Sequence, residues 1–270
     1  MSSKEVVLTG TEEFSELIES GAYYVDKTSF LKELFMGNSL AKNPLFLRPR
    51  RFGKTLNMSM IKEFCELNYQ NPKDKSRQQR LFIDNGRNLA VAGDNYKELR
   101  EQFMGEFPVI SFSFKGIEGN TFASAVCSFL EAIGELYQRF IFLTRSSRLV
   151  GSLKKKFSLI LDFCNLEFGN LSDSNTLSKA VSICTSFIST LAQMLYIEYE
   201  RSVIVIIDEY DVPLQKAVSA QTPYYDDMLE IIKKISVTVF KQNAEPWLYK
   251  GVISGCLKIA HQSVFTDANN

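Results

Sequence analysis

Residues 203–209 read Val203-Ile204-Val205-Ile206-Ile207-Asp208-Glu209. An unbroken run of β-branched residues, with no alternation of polar and apolar, is the pattern of a strand covered on both faces in a parallel sheet. Two acids stand at its carboxyl end, where open α/β sheets bind their ligands. Outward from this strand, apolar residues recur at helical spacing. Leu177, Ala180, Val181, Cys184, Ile188, Leu191 and Leu195 precede it, and Met228, Leu229, Ile232, Ile235 and Val239 follow it. Further strands are expected at 45–47, 109–114 and 248–254. Further helices are expected from Leu56 to Leu67 and from Phe122 to Phe140. Strands separated by helices predict parallel βαβ units, hence an α/β fold with a mainly parallel sheet and helices on both faces.

The flanking segments complete one domain over 1–270. Residues 1–40 form an N-terminal helical segment, with two short helices around a turn in 11–35 and Asp26 as N-cap of the second. Residues 41–270 form the core. Residues 70–80 are polar and predict an exposed connection, and 86–105 predict a mixed, surface-lying stretch. The Ser, Lys and Asn content near 144–175 suggests a helical excursion, in which Lys154-Lys155-Lys156 reads as a solvated face.

Composition narrows the function classes. The chain has 270 residues, 45% hydrophobic and 23% charged, ordinary for a folded domain. Lys+Arg and Asp+Glu are both 31, so there is no chain-wide basic footprint for nucleic acid. The five cysteines include no CxxC pair, which predicts buried reduced thiols rather than a disulfide framework. The one histidine, His261, leaves little room for zinc or for a histidine-based triad. Met1-Ser2-Ser3-Lys4-Glu5 shows no secretory leader, and the longest aliphatic run, 203–207, is far short of the ~20 residues that span a bilayer. The expectation is a cytoplasmic protein without a membrane partner.

A second segment carries chemistry. Arg48-Pro49-Arg50-Arg51-Phe52-Gly53-Lys54-Thr55 follows the strand at 45–47 and opens the helix containing Leu56. Glycine lets a backbone approach phosphates, and a helix N-terminus offers free N–H groups and a positive dipole end. Lysine then reaches the β/γ-phosphates and the threonine hydroxyl ligates Mg²⁺. The full GxxxxGK[ST] pattern is not met, since Arg48 stands at its first glycine. Alone, the triplet also fits an ordinary helix start with a solvated lysine. Paired with Asp208 and Glu209, it points to nucleotide phosphate: Asp208 beside Thr55 for Mg²⁺, and Glu209 to orient or deprotonate the attacking water. Arg48, Arg50 and Arg51 are candidates for phosphate oxygens, or for pairing with Asp208 or Asp211 in the empty site. Asp211 is a candidate to support the metal, or to cap the turn before Pro213. Ser254, at the end of the strand at 248–254, reads by itself as a strand-end serine bonded to backbone. Lys258 is a weaker phosphate candidate.

These residues also carry a resemblance. Tyr24-Val25-Asp26-Lys27-Thr28, the string from Leu47 to Thr55, Pro108-Val109-Ile110, Ile207-Asp208-Glu209-Tyr210-Asp211-Val212-Pro213-Leu214 and the stretch from Gly251 to Asn270 resemble the predicted AAA-ATPase-like family of bacterial P-loop proteins. The resemblance implies a three-layer P-loop NTPase with strand order 5-1-4-3-2, ATP and Mg²⁺ as ligands, and a usual arginine-rich loop. It implies nucleotide contacts from Arg48, Arg50, Arg51, Phe52, Gly53, Lys54, Thr55, Leu56 and Ser254, the last at the γ-phosphate, with Lys54 and Glu209 catalytic and Thr55 and Asp208 at the metal. Asp26-Lys27-Thr28 matches a motif of the family, and two readings stay open for it: a helix cap, or contact with nucleotide or the phosphate loop. Relatives usually continue with a helical segment and often a nuclease domain, so a truncated chain lacking its fifth strand is expected. Two readings follow: an Mg²⁺-dependent ATPase, and a nucleotide-binding switch or interaction module with little turnover, working on a protein partner or another copy of itself. A small-molecule kinase is third. No Asn-Lys-x-Asp string supports a GTPase, and no second acidic cluster supports a nuclease.

Overall fold

The computed structural model describes residues 10–37, 42–165, 173–219, 221, 223–241 and 246–256. Its strands are β1 (Leu45–Leu47), β2 (Val109–Ser113), β3 (Val203–Asp208) and β4 (Leu248–Gly255). They form one parallel sheet in the order β1-β4-β3-β2. This is the 1-4-3-2 part of the expected order. No fifth strand occurs among the described residues.

Burial along β3 explains the layering. All six of its residues are buried. Val203, Val205 and Ile207 face one core and Ile204 and Ile206 face another, as the two-residue period of a strand requires. The first core is roofed by α6 (Phe122–Arg139), α7 (Gly151–Cys164), α8 (Ser174–Tyr199) and α10 (Tyr225–Ser236). Rings crowd beneath them: Phe112, Phe114, Phe129 and Phe187 pack with centroids 4.8–5.8 Å apart. The second core lies under α1 (Phe14–Glu19), α2 (Phe30–Met36), α3 (Lys54–Cys65), the short α4 (Ser76–Gln78) with its π-turn, and α5 (Lys97–Phe103). The remaining helix, α9 (Val212–Ser219), follows β3 directly.

Several expectations are corrected. Asp26 does not cap α2, whose N-cap is Ser29. Its carboxylate accepts instead from Thr28 N (2.8 Å), Thr28 Oγ1 (2.7 Å) and Ala90 N (2.6 Å). The stretch 86–105 is not surface-lying throughout, because Leu89, Val91, Leu99 and Phe103 enter the second core. The excursion near 144–175 is built into the first core through Phe157, Ile160 and Leu161; residues 166–172 lie outside the described residues. α8 is long and apolar enough to cross a membrane by length and composition, yet half of that window is buried inside the protein, against α6, α7 and α10. Cys65, Cys164 and Cys184 are buried thiols and Cys127 and Cys256 are half-buried; all five are free. Lys258 and His261 lie outside the described residues.

Candidate functional site

The site is assembled by pairing in the sheet. β1 pairs with β4 up to Leu47 opposite Gly255, and Arg48 N extends the ladder to Gly255 O (3.2 Å). β4 in turn pairs with β3 up to Ile207 opposite Ile253. The loop leaving β1 and the acids leaving β3 therefore share one sheet edge, on either side of Ser254 and Gly255. Gly255 has no room for a side chain there. An added Cβ would stand 2.5 Å from the Tyr210 ring and 2.8 Å from Asp211 Oδ1.

The loop from Arg48 to Gly53 turns through two left-handed residues, Arg51 (φ 68°) and Gly53 (φ 71°). The conformational freedom expected of a first glycine is thus displaced to Arg51 and Gly53. Gly53 is the N-cap of α3 and no side chain caps it, so the N–H groups of the first turn at Lys54, Thr55 and Leu56 are open to an anion. Lys54 Nζ folds back onto Arg48 O (2.7 Å) and Pro49 O (3.0 Å) and lies 3.3 Å from Cys256 Sγ. Carbonyls are weak partners for an ammonium, and this amine is free to exchange them for phosphate oxygens. Arg48, Arg50 and Arg51 are exposed, and none pairs with Asp208 or Asp211 among the described residues; Arg50 donates instead to Gln215 Oε1 (3.3 Å).

The acids are held differently. Asp208 is buried, and its Oδ1 accepts from Ser254 Oγ and from Glu209 N (2.9 Å). Its Oδ2 is buried with no hydrogen-bond partner among the described residues. A buried carboxylate oxygen left unpartnered is costly, and a divalent cation is one group that would offset the cost. The hard oxygens of Asp208 and the Thr55 hydroxyl suit Mg²⁺. Ser254, fully buried, spends its hydroxyl on Asp208. Asp211 Oδ2 accepts from Gln215 Nε2 (2.6 Å) and Cys256 N (3.0 Å), so it ties the end of β4 to α9.

Glu209 is half-buried and left-handed, φ 54°. Burial, then the charge of Asp208, pushes its carboxyl above the ordinary value, and Lys115 and Lys54 oppose the rise. Lys115 lies just past the carboxyl end of β2 and is held by Glu12 (2.6 and 2.8 Å). Reading the sequence missed both partners. The position of Lys115 after a strand was a usable signal. Glu12 offered none, because its approach depends on docking of the N-terminal segment.

Beside the loop is a cavity of about 550 Å³, lined by Phe30, Phe46, Phe52 and Met58 and by the charged side chains of Lys27, Arg48 and Lys54 among others. Phe52 is 59% exposed. No cluster of three or more potential metal-binding His, Cys, Asp or Glu side chains occurs among the described residues.

The family model described as predicted AAA-ATPase matches residues 8–265. No curated protein and no solved structure matches the chain.

Proposed function

The chain belongs to the predicted AAA-ATPase family, and from that premise we propose that it binds Mg-ATP on the loop 48–55 and hydrolyses its γ-phosphate. The observation that carries this reading is the unpartnered Oδ2 of buried Asp208, beside a helix N-terminus opened by Gly53 and Lys54. A lone phosphate loop needs no buried acid at the end of another strand of the sheet; a metal-assisted nucleotide site does.

The backbone N–H groups from Gly53 to Leu56 hold phosphate oxygens. Lys54 leaves the carbonyls of Arg48 and Pro49 for the β/γ-phosphates. Arg48, Arg50 and Arg51 supply further positive charge to a group that gains negative charge in transfer. Thr55 and Asp208 would hold Mg²⁺, which when bound neutralises phosphate charge; Ser254 keeps Asp208 in place. Glu209 orients the attacking water and receives its proton, a role suited by a carboxyl raised above its usual range. The cavity walled by Phe52 takes the base, since aromatic faces suit a planar ring.

A switch with little turnover is the second reading, favoured by one feature: Lys115 is bonded to Glu12 while its charge acts on Glu209, so the N-terminal segment bears on the water-orienting group. Phosphate release separates the two. Wild type turning over ATP, with Glu209→Gln reduced about 10²–10⁴-fold while still binding it, supports hydrolysis. Binding in wild type without release supports the switch.

A further inference from the structure

The Asp26-Lys27-Thr28 string is left over by the site as described, and its geometry is specific. The side chains of Asp26 and Thr28 are both consumed in fixing the backbone. Asp26 Oδ1 closes on Thr28 N and Oγ1, Asp26 Oδ2 accepts from Ala90 N, and Thr28 Oγ1 accepts from Val91 N (3.1 Å). Lys27 N donates to Tyr24 Oη (3.2 Å), and that hydroxyl reaches Met60 Sδ of α3 (3.5 Å). Residue 27 is thus tied both to the 89–91 segment and to the helix that carries the phosphate loop. Farther along the same segment, Phe14 N donates to Ser59 Oγ of α3 (2.9 Å), so the whole N-terminal segment is docked on that helix.

Between its two anchoring neighbours, Lys27 is exposed. Its Nζ stands 3.8 Å from where a Cβ on Gly53 would lie. It lines both the cavity shared with Lys54 and Phe52 and the smaller one shared with Gly53 and Asn57. Among the described residues it forms no ion pair, and neither do Arg48, Arg50, Arg51 or Lys54. The carboxylates of Asp26 and Glu33 line the same cavity but pair with none of these cations among the described residues. Like charges gathered around one helix N-terminus repel one another and the dipole end, and an anion among them relieves this.

We propose that Lys27 is a second phosphate-binding lysine, presented by the N-terminal segment to the α- and β-phosphates of the nucleotide. The assignment to those phosphates follows from its place beside Gly53, because the loop backbone cradles the α/β-phosphates while Lys54 reaches toward the γ. The proposal rests on the phosphate-site reading above. Its consequence is that nucleotide is gripped from two parts of the chain, the loop and the N-terminal segment.

The test is calorimetric titration of the full chain, as wild type, Lys27→Ala, Lys27→Arg and Lys54→Ala, with Mg-ATP and with Mg-ADP. Lys27→Ala is expected to weaken both nucleotides by a similar factor of about ten or more, the loss of one charge-assisted contact. Lys27→Arg is expected to restore most of it, and the melting temperature of Lys27→Ala without nucleotide is expected not to fall, since Lys27 has no ionic partner to lose among the described residues. At saturating ATP, kcat is expected to hold while KM rises. Unchanged binding of both nucleotides in Lys27→Ala would overturn the proposal. So would a loss confined to ATP, which would place the lysine at the γ-phosphate, or a fall in melting temperature that accounts for the weaker binding. Absence of Lys54-dependent binding in wild type would instead bring down the phosphate-site reading itself, and this proposal with it.

Discussion

Glu209 combines features unfavourable for folding with the role proposed for it in hydrolysis. Its backbone is left-handed, which costs a non-glycine residue about 1–2 kcal/mol. Its carboxylate is also disfavoured, first by burial and then by Asp208. Because its folded value lies above the ordinary 4.5, the folded state holds its proton longer than the unfolded chain does. Stability therefore falls as pH rises through the window between the two values, and the full cost applies above it. Glu209→Gln removes that charge: nucleotide-free protein is expected to melt higher than wild type at pH 8, with the gain vanishing below about pH 4, as thermal scans across pH would show. Ser254→Ala acts in the opposite direction. It strips a buried carboxylate of its hydroxyl donor and is expected to cost about 1–3 kcal/mol in urea unfolding at neutral pH.

Elements meet at this site because β4 runs between β1 and β3. The contact requires a glycine where β4 ends, as Tyr210 and Asp211 occupy the space of a side chain at Gly255. Gly255→Ala is expected to destabilise by about 1–3 kcal/mol through overpacking, and to weaken nucleotide binding by displacing the Asp211 carboxylate from Cys256 N. The N-terminal segment is fastened to the rest by hydrogen bonds from several elements. Arg87 reaches back to Ala22 O (2.6 Å), and Asp26 fastens the 89–91 segment. Asp26→Ala is expected to cost about 1–2 kcal/mol in urea unfolding. It should also reproduce part of the Lys27→Ala binding loss, because residue 27 is no longer fixed.

At the scale of the molecule, two cores on either face of a parallel sheet make the layers. That much was legible, because β3 is apolar without alternation and long helical stripes flank it. The candidate residues in the 48–55 loop and at 208–209 are singled out by residue chemistry at strand ends, and the sheet order brings them to one edge. Other features were hidden for physical reasons. Leu89 and Val91 sit in turns with no helical or strand period, so nothing marked them as core. α9 opens on Val212-Pro213 directly after three polar or acidic positions and reads as a turn. Lys115 and Glu12 are 103 residues apart and meet only through tertiary docking. Asp26 looked like a helix cap because the sequence shows the Asx pattern but not its distant partner at Ala90. If the loop is a nucleotide site, the whole fold must also feel the ligand. Free Mg-ATP at 100 times Kd is expected to stabilise wild type by about 2.7 kcal/mol and to leave Lys54→Ala unmoved.

The most direct test of the central claim, that the loop 48–55 and Asp208 form one nucleotide-phosphate site, is calorimetric titration of Mg-ATP into wild type, Lys54→Ala and Asp208→Asn. The account predicts saturable binding in wild type and its loss in Lys54→Ala. It also predicts binding in Asp208→Asn that no longer responds to Mg²⁺. Equal binding in all three proteins, or none in wild type, would contradict it.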